Sequence, residues 1–154
     1  MFRCIENRAR GFVGLLLNEI LAGGRWIPVD PIFNEIPASP KHIKLVEGDQ
    51  LNWVRRVNFN DQVMLVTRNG MGIRFQQTEV RPMGRASQGV RGIRVKGGDQ
   101  VVDMSIVEDE SKDCLMVVME NGLGKATAVN EYRLQSRGGS GVKTANLNEK
   151  TGKL

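Results

Sequence analysis

The sequence predicts an all-β fold made of repeated blades of four strands, and three observations support this. Residues 61–95 align without a gap with residues 113–147, at an offset of about 52 residues. Each copy has an Asn-Gly pair between two apolar runs, which is typical of a β-hairpin. The 154 residues include 18 glycines and 5 % aromatic residues, a composition that favours turn-rich sheets over helices.

The repeat preserves turn residues and charged residues as well as apolar positions. The identical aligned pairs are Asp61/Asp113, Met64/Met116, Val66/Val118, Asn69/Asn121, Gly70/Gly122, Gly72/Gly124, Glu79/Glu131, Arg81/Arg133, Arg85/Arg137, Gly89/Gly141 and Val90/Val142. Chance similarity between two β segments would not normally reproduce the asparagine, the glycines and the arginines together. In the first copy we predict strands over about 62–67, 72–75, 79–83 and 90–95, joined at Asn69-Gly70 by a type I′ turn. Units of about 50 residues with four strands are typical of propeller-like blades.

The segments that connect the blades repeat too. Gly48-Asp49-Gln50 precedes the first copy, Gly98-Asp99-Gln100 precedes the second, and residues 146–154 resemble the start of a third connection. The prediction is therefore an incomplete ring over residues 41–154, with blades over about 43–95 and 96–147 and the start of a third.

Residues 1–40 share none of this repeat and are predicted to be a leader of unknown role. Its apolar stretch from Phe12 to Leu21 predicts a short amphipathic helix. The prolines that follow it predict an irregular loop. They are Pro28, Pro31, Pro37 and Pro40.

The distribution of charge indicates an anionic partner. The formal net charge is +5, and the excess lies in residues 41–154 because the acids and bases of residues 1–40 balance. The segment from Arg68 to Lys96 contains six arginines and one lysine but a single acidic residue, Glu79. Guanidinium groups match the geometry of phosphate, so this segment predicts contact with a phosphate backbone rather than a merely solvated surface.

One loop carries a specific resemblance. Gln135-Ser136-Arg137-Gly138-Gly139-Ser140-Gly141 is similar to the box motif of DNA gyrase A, whose pattern is Gln, basic, Arg, Gly, Gly, basic, Gly. Serine replaces both flanking basic residues, so the loop resembles a related copy in another blade. The neighbouring sequences Asn-Gly-x-Gly-Lys and Arg-Pro-Met-Gly-Arg also resemble gyrase A blades. The resemblance covers about residues 43–154 and implies the β-pinwheel fold of the gyrase A C-terminal domain.

The resemblance also implies a function. The chain is expected to be a non-catalytic part of a type II topoisomerase, binding and wrapping double-stranded DNA without sequence specificity. In the family, the gyrase A catalytic core and the ATP-hydrolysing gyrase B protein use this wrap for negative supercoiling. The expected location is the bacterial cytoplasm, in association with the nucleoid. No cofactor, metal, catalytic residue or membrane contact is expected.

The predicted DNA-binding residues are basic side chains of the two repeats and the glycines of the box-like loop. Glycine-rich turns expose backbone N–H groups that can bind phosphate beside a guanidinium. The alternative is that these glycines only make tight turns. The predicted set is Arg74, Arg81, Arg85, Arg91, Arg94, Lys125, Arg133, Arg137, Gly138, Gly139, Gly141 and Lys143.

Two other functions stay open at this point. The equivalent C-terminal domain of topoisomerase IV shares the blades and usually has a degenerate box. A protein-interaction propeller with an incidental basic rim would bind DNA weakly and without strong salt dependence.

Several residues that could suggest other chemistry are predicted to be structural. Tyr132 lies in a blade strand and is expected to pack in the core, and Cys114 is expected to be a buried thiol. The methionines of the strands, including Met116, are expected to fill the sheet interior. The acidic run from Glu108 to Asp113 is interpreted as a solvated hairpin loop.

Overall fold

The computed structural model describes residues 2–7, 12–16, 19–22, 25–28, 51–83 and 89–154, with side-chain surroundings for residues 52–81 and 89–154. The strands of these residues are β1 (Phe2–Asn7), β2 (Phe12–Leu16), β3 (Glu19–Ala22), β4 (Arg25–Pro28), β5 (Leu51–Val57), β6 (Gln62–Thr67), β7 (Met71–Gln76), β8 (Pro82–Met83), β9 (Val90–Arg91), β10 (Val101–Val107), β11 (Cys114–Val118), β12 (Gly124–Ala128) and β13 (Val142–Lys143). Two short 3-10 helices cover Gln77–Glu79 and Val129–Glu131. The predicted all-β class is confirmed.

The four-stranded sheet takes its strands from two sequence repeats. Its order is β10-β6-β7-β13, so the β6–β7 hairpin of the first repeat lies between two strands of the second. β10 pairs antiparallel with β6, with Met104 opposite Leu65, and β13 pairs with β7, with Val142 opposite Gly72. A sheet of this structure therefore does not coincide with one copy of the sequence repeat.

The first sheet follows the same plan one step earlier in the chain. β5 pairs with β1 and β9 pairs with β2, so the β1–β2 hairpin occupies the place that β6–β7 occupies in the second sheet. β8 also pairs with β2, in parallel orientation. The pairing joins residues on both sides of the predicted boundary between residues 40 and 41.

The short helix predicted from Phe12 to Leu21 is wrong. These residues contribute β2 and β3, and β2 pairs with β1 from Phe12 to Leu16. Pairing with neighbouring strands satisfies the backbone groups of this segment, and such tertiary pairing overrides a weak local preference for helix. The Pro-rich loop predicted after it lies outside the described residues, apart from Pro28 at the end of β4.

The β6–β7 turn differs from the predicted two-residue type I′ turn. The Gly70 N–H donates to the Thr67 carbonyl at 2.9 Å, and ladder pairing resumes with Val66 opposite Gly72. Gly70 has a φ of 77°, so glycine supplies the left-handed residue that closes this longer turn. The second repeat does the same, with the Gly122 N–H donating to the Met119 carbonyl at 2.9 Å.

Two apolar clusters form the core of the described part of the chain. The first lies around Phe75, Ile93 and Met104, and the second joins Met64 and Val66 to the inner face of β11 through Leu115 and Val117. Tyr132 is 3 % exposed in the second cluster, which confirms its predicted packing role.

The outer face of the β11–β12 hairpin is exposed, contrary to two predictions. Residues of β11 alternate between exposed and buried, and Cys114 lies on the exposed face. Met116 is 70 % exposed and Val118 58 %, whereas their repeat equivalents Met64 and Val66 are buried. The inner face of this hairpin packs in the second cluster, whereas among the described residues its outer face lies at the surface.

Candidate functional site

The box-like loop, residues 135–141, is hydrogen-bonded to the β6–β7 hairpin at both of its ends. The Gln135 N–H donates to the Arg74 carbonyl at 2.9 Å, and the chain comes back where the Thr144 N–H donates to the Gly70 carbonyl at 2.7 Å. Between these anchors, residues 136–141 extend from the second repeat across the first. The β6–β7 hairpin of the first repeat therefore holds the loop at both ends.

The tip of the loop is hydrogen-bonded to the first repeat. The Arg137 N–H donates to Glu79 Oε2 at 3.0 Å, Arg137 Nε donates to the Glu79 carbonyl at 2.9 Å, and Nη1 donates to the Arg91 carbonyl at 3.1 Å. The Gly138 N–H donates to the Gly92 carbonyl at 2.6 Å, and the Arg94 N–H donates to the Gly139 carbonyl at 2.8 Å. These bonds place the loop against residues 91–94.

The contact brings together basic residues of both repeats, and we call this set the basic ledge: Arg81, which follows Glu79 by two residues, Arg91 and Arg94, whose backbones bond to the loop, and Arg137 in the loop itself. The first three are exposed and Arg137 is half-buried. Glu79 is the only acid hydrogen-bonded to the ledge among the described residues. Exposed arginines on segments bonded to a fixed loop suit an anion with several phosphate groups.

The glycines of the loop differ in whether the structure requires glycine at their positions. Gly138 and Gly141 have φ angles of 79° and 74°, which favour glycine. A Cβ on Gly141 would also collide with the backbone of Gly72 in β7, whereas a Cβ on Gly139 would meet Ile73 at an ordinary 3.4 Å. Gly141 is therefore required by packing. The backbone N–H groups of Arg137 and Gly138, expected to face phosphate, are instead used within the protein.

The structure separates Arg74 from the other predicted binding residues. Its side chain is 5 % exposed, and Nη1 donates to Glu110 Oε2 at 2.7 Å and to Gln62 Oε1 at 3.0 Å. A buried, paired guanidinium has little surface to offer DNA, so we leave Arg74 out of the candidate site. Strand β7 is buried on both faces because the two core clusters pack on opposite sides of the β6–β7 hairpin, which its sequence alone does not reveal.

The remaining predicted residues lie apart from the ledge or outside the described part. Lys125 and Arg133 are exposed, and Lys143 is exposed with its Nζ donating to Asn146 Oδ1 at 2.8 Å. Arg85, the repeat equivalent of Arg137, lies outside the described residues.

Two carboxylates that link the repeats are not among the residues predicted from the sequence. Hydrogen bonds from Gln62 and Arg74 hold the pKa of the Glu110 carboxyl below its usual value, so part of the acidic loop neutralises a buried cation. Glu120 accepts hydrogen bonds at 3.0 Å from both the Lys153 N–H and Arg68 Nη2, which also lower its pKa. Glu79 makes a third contact between the repeats, through Arg137. Its identity with Glu131 in the aligned repeat is the sequence signal that could have drawn attention to it.

The described part of the chain contains neither a metal-ligand cluster nor a membrane-spanning helix. No group of three or more His, Cys, Asp or Glu side chains there could hold a metal ion. Within the same residues, no helix has the length and apolarity needed to span a membrane.

Comparisons with known proteins agree on one family. The family described as "DNA gyrase C-terminal domain, beta-propeller" matches residues 61–108 and 115–154. The A subunit of DNA gyrase from Staphylococcus epidermidis is 43 % identical over 112 residues, which are 73 % of this chain and 12 % of that protein. The same protein from Staphylococcus aureus is 41 % identical over 112 residues, 73 % of this chain and 13 % of its own length. The chain thus spans about an eighth of these relatives.

Solved structures share the fold. The C-terminal domain of DNA topoisomerase IV superposes with a TM-score of 0.77 at 20 % identity, over 99 % of this chain and 43 % of that one. A DNA gyrase A C-terminal domain superposes with a TM-score of 0.72 at 24 % identity, over 99 % of this chain and 46 % of that one.

Proposed function

The chain belongs to the DNA gyrase C-terminal β-propeller family, and from this premise we propose that it binds double-stranded DNA without sequence specificity and wraps it along the basic ledge. The observation that carries the proposal is the loop from the second repeat that sets Arg137 beside Arg91 and Arg94 of the first. Basic residues from two successive repeats are thereby held close together. Such an arrangement can hold a bent phosphate backbone.

The chemistry of the ledge favours phosphates over base edges. Arg81, Arg91 and Arg94 are exposed on irregular segments and a two-residue strand. Direct reading of bases commonly uses a helix or a two-stranded ribbon inserted into the major groove, and the ledge presents neither. We infer that binding is electrostatic and depends steeply on salt.

In the parent protein this module would supply DNA to a catalytic core. We propose that it is a non-catalytic part of DNA gyrase A, working with the gyrase A catalytic core and with gyrase B. Wrapping would support ATP-dependent negative supercoiling in the bacterial cytoplasm, at the nucleoid. The curated relatives named above, at 41 and 43 % identity, support gyrase as the parent.

A second candidate is the equivalent domain of topoisomerase IV. The TM-score of 0.77 to that structure favours it, as do the two serines in the box-like loop. Grafting the full chain, residues 1–154, onto a gyrase A core that lacks its own blades would discriminate the two. Restored negative supercoiling supports gyrase, whereas relaxation without supercoiling supports topoisomerase IV.

The binding proposal is tested by fluorescence anisotropy with a random-sequence duplex across a salt series. The double variant Arg91→Ala and Arg94→Ala should weaken binding and reduce the slope of log K against log salt by about 2, because each phosphate contact contributes about 0.9. The matched control, Lys112→Ala with Lys150→Ala, removes the same charge from two exposed turns away from the ledge. Equal losses in both variants would show a diffuse charge effect and refute the ledge as the binding surface.

A further inference from the structure

We propose that Glu79 is a positioning residue that sets the basic ledge by fixing Arg137 of the following repeat. The inference rests on the proposed DNA binding. It adds that an acid within a phosphate-binding surface strengthens binding, because it orients an arginine without neutralising it.

Glu79 holds Arg137 through both its side chain and its main chain, and we call this pair of hydrogen bonds the grip. The side chain of Glu79 accepts the backbone N–H of Arg137 at 3.0 Å, and its main-chain carbonyl accepts Nε at 2.9 Å. The Arg91 carbonyl accepts Nη1 at 3.1 Å. With both its backbone and its guanidinium fixed, Arg137 loses the freedom of a long surface side chain before any ligand binds. Such preorganisation reduces the ordering cost of binding.

The main chain at Glu79 is anchored by buried neighbouring residues. Glu79 ends the 3-10 helix Gln77–Glu79, and both Gln77 and Val80 beside it are buried. The Gln77 side chain donates to the Phe59 carbonyl at 2.8 Å, and its N–H donates to the Asp61 carbonyl at 3.2 Å. The backbone of Glu79, with its carbonyl acceptor, is thus tied to the core of the first repeat.

The charge of Arg137 is preserved by this arrangement. The carboxylate bonds to a backbone N–H, whereas the guanidinium bonds, among the described residues, only to two neutral carbonyls. These bonds engage two of the five N–H donors that a guanidinium carries. The cation keeps donors for a phosphate, and its direction is set.

The repeat provides a second instance of the same residue. Glu131 ends the 3-10 helix Val129–Glu131 as Glu79 ends its own, and both positions are glutamate. Glu131 is exposed and has no side-chain hydrogen-bond partner among the described residues. It is therefore a control with the same charge and local structure but without the grip.

The test compares Glu79→Ala, Glu79→Gln and Glu131→Ala in two measurements: duplex affinity by anisotropy and hydrogen exchange of the Arg137 amide by NMR. Removing an acid from a basic surface should strengthen DNA binding by simple electrostatics. The proposal expects the opposite for Glu79→Ala: affinity lower by about threefold or more, with Arg137 exchange faster by about tenfold. Glu131→Ala should leave exchange unchanged and affinity equal or slightly higher.

The variant Glu79→Gln tests the side-chain hydrogen-bond acceptor separately from the negative charge of the carboxylate. It keeps a side-chain carbonyl at the same distance, so protection of the Arg137 amide and affinity should match or exceed those of the unsubstituted chain. If Glu79→Ala does not fold, the glutamine variant still decides: lower affinity with the Arg137 amide still protected, or lost protection with unchanged affinity, contradicts the proposal. Glu79→Ala that behaves like Glu131→Ala in both measurements would also overturn it. If the unsubstituted chain does not bind the duplex, the DNA proposal fails by itself, and the exchange data still show whether Glu79 holds the loop.

Discussion

Gly141 offers a stringent test of the site geometry, because two separate costs meet there. Its φ of 74° lies in the left-handed region, which costs an alanine about 1–2 kcal/mol. A Cβ would also press on the carbonyl oxygen of Gly72 and lie 2.9 Å from the carbonyl carbon. The obstacle is backbone in a central strand, so rotation of a side chain cannot relieve it, and overpacking of this kind costs about 1–3 kcal/mol. Gly141→Ala should therefore lower the free energy of unfolding by about 2–5 kcal/mol.

Two other glycines separate these contributions. Gly97 has a φ of 56° and nothing within 4 Å of its Cβ position, so Gly97→Ala should show only the conformational cost of about 1–2 kcal/mol. Gly139 is not among the glycines with positive φ, so Gly139→Ala should be close to neutral.

Urea denaturation followed by tryptophan fluorescence measures all three variants, since Trp53 packs against the first core cluster. Losses that are equal for Gly141→Ala and Gly97→Ala would show that the approach to Gly72 carries no cost and refute the packing argument.

Two further predictions concern the acidic loop and the open hairpin. Because the pKa of Glu110 is lowered in the folded state, its contribution to stability is complete above the ordinary carboxyl pKa and lost as pH falls through the lowered value. Glu110→Gln should reduce the acid dependence in urea melts as the pH is lowered through the carboxyl range, and an unchanged acid limb would contradict the pairing with Arg74. Met116 is 70 % exposed beside strand edges that are unpaired among the described strands, so the chain should self-associate in size-exclusion chromatography and Met116→Lys should reduce that association. Unchanged association would place the contact elsewhere.

The sequence predicts the hairpins well but not the sheets that they join. Apolar runs and the Asn-Gly pairs locate β6, β7, β11 and β12, because these signals are local. A sequence period is the same whether a hairpin pairs with its own repeat or with the next. The exchange of β10 and β13 into the sheet of β6 and β7 is therefore visible only in the structure.

The candidate site shows the same limit. Arg91, Arg94 and Arg137 can be named from the sequence as basic residues near a loop, but their assembly depends on contacts such as Arg137 to Glu79, 58 positions apart. Arg74 resembles the other arginines in sequence, yet Glu110, 36 positions away, pairs with it at the edge of the core. The apolar run that begins at Cys114 predicts a buried thiol, whereas Cys114 lies on the exposed face of β11, where residues alternate between exposed and buried.

The shared sheet has a consequence for how the chain unfolds. In stacked repeat proteins a unit touches only its neighbours and can open at one end while the rest persists. Here, opening the second repeat removes β10 from one edge of the β6–β7 hairpin and β13 from the other. The first repeat would be left with two bare edges and part of its core exposed. Neither repeat is then an independent folding unit, and the smallest cooperative element of this protein straddles the boundary that the sequence marks.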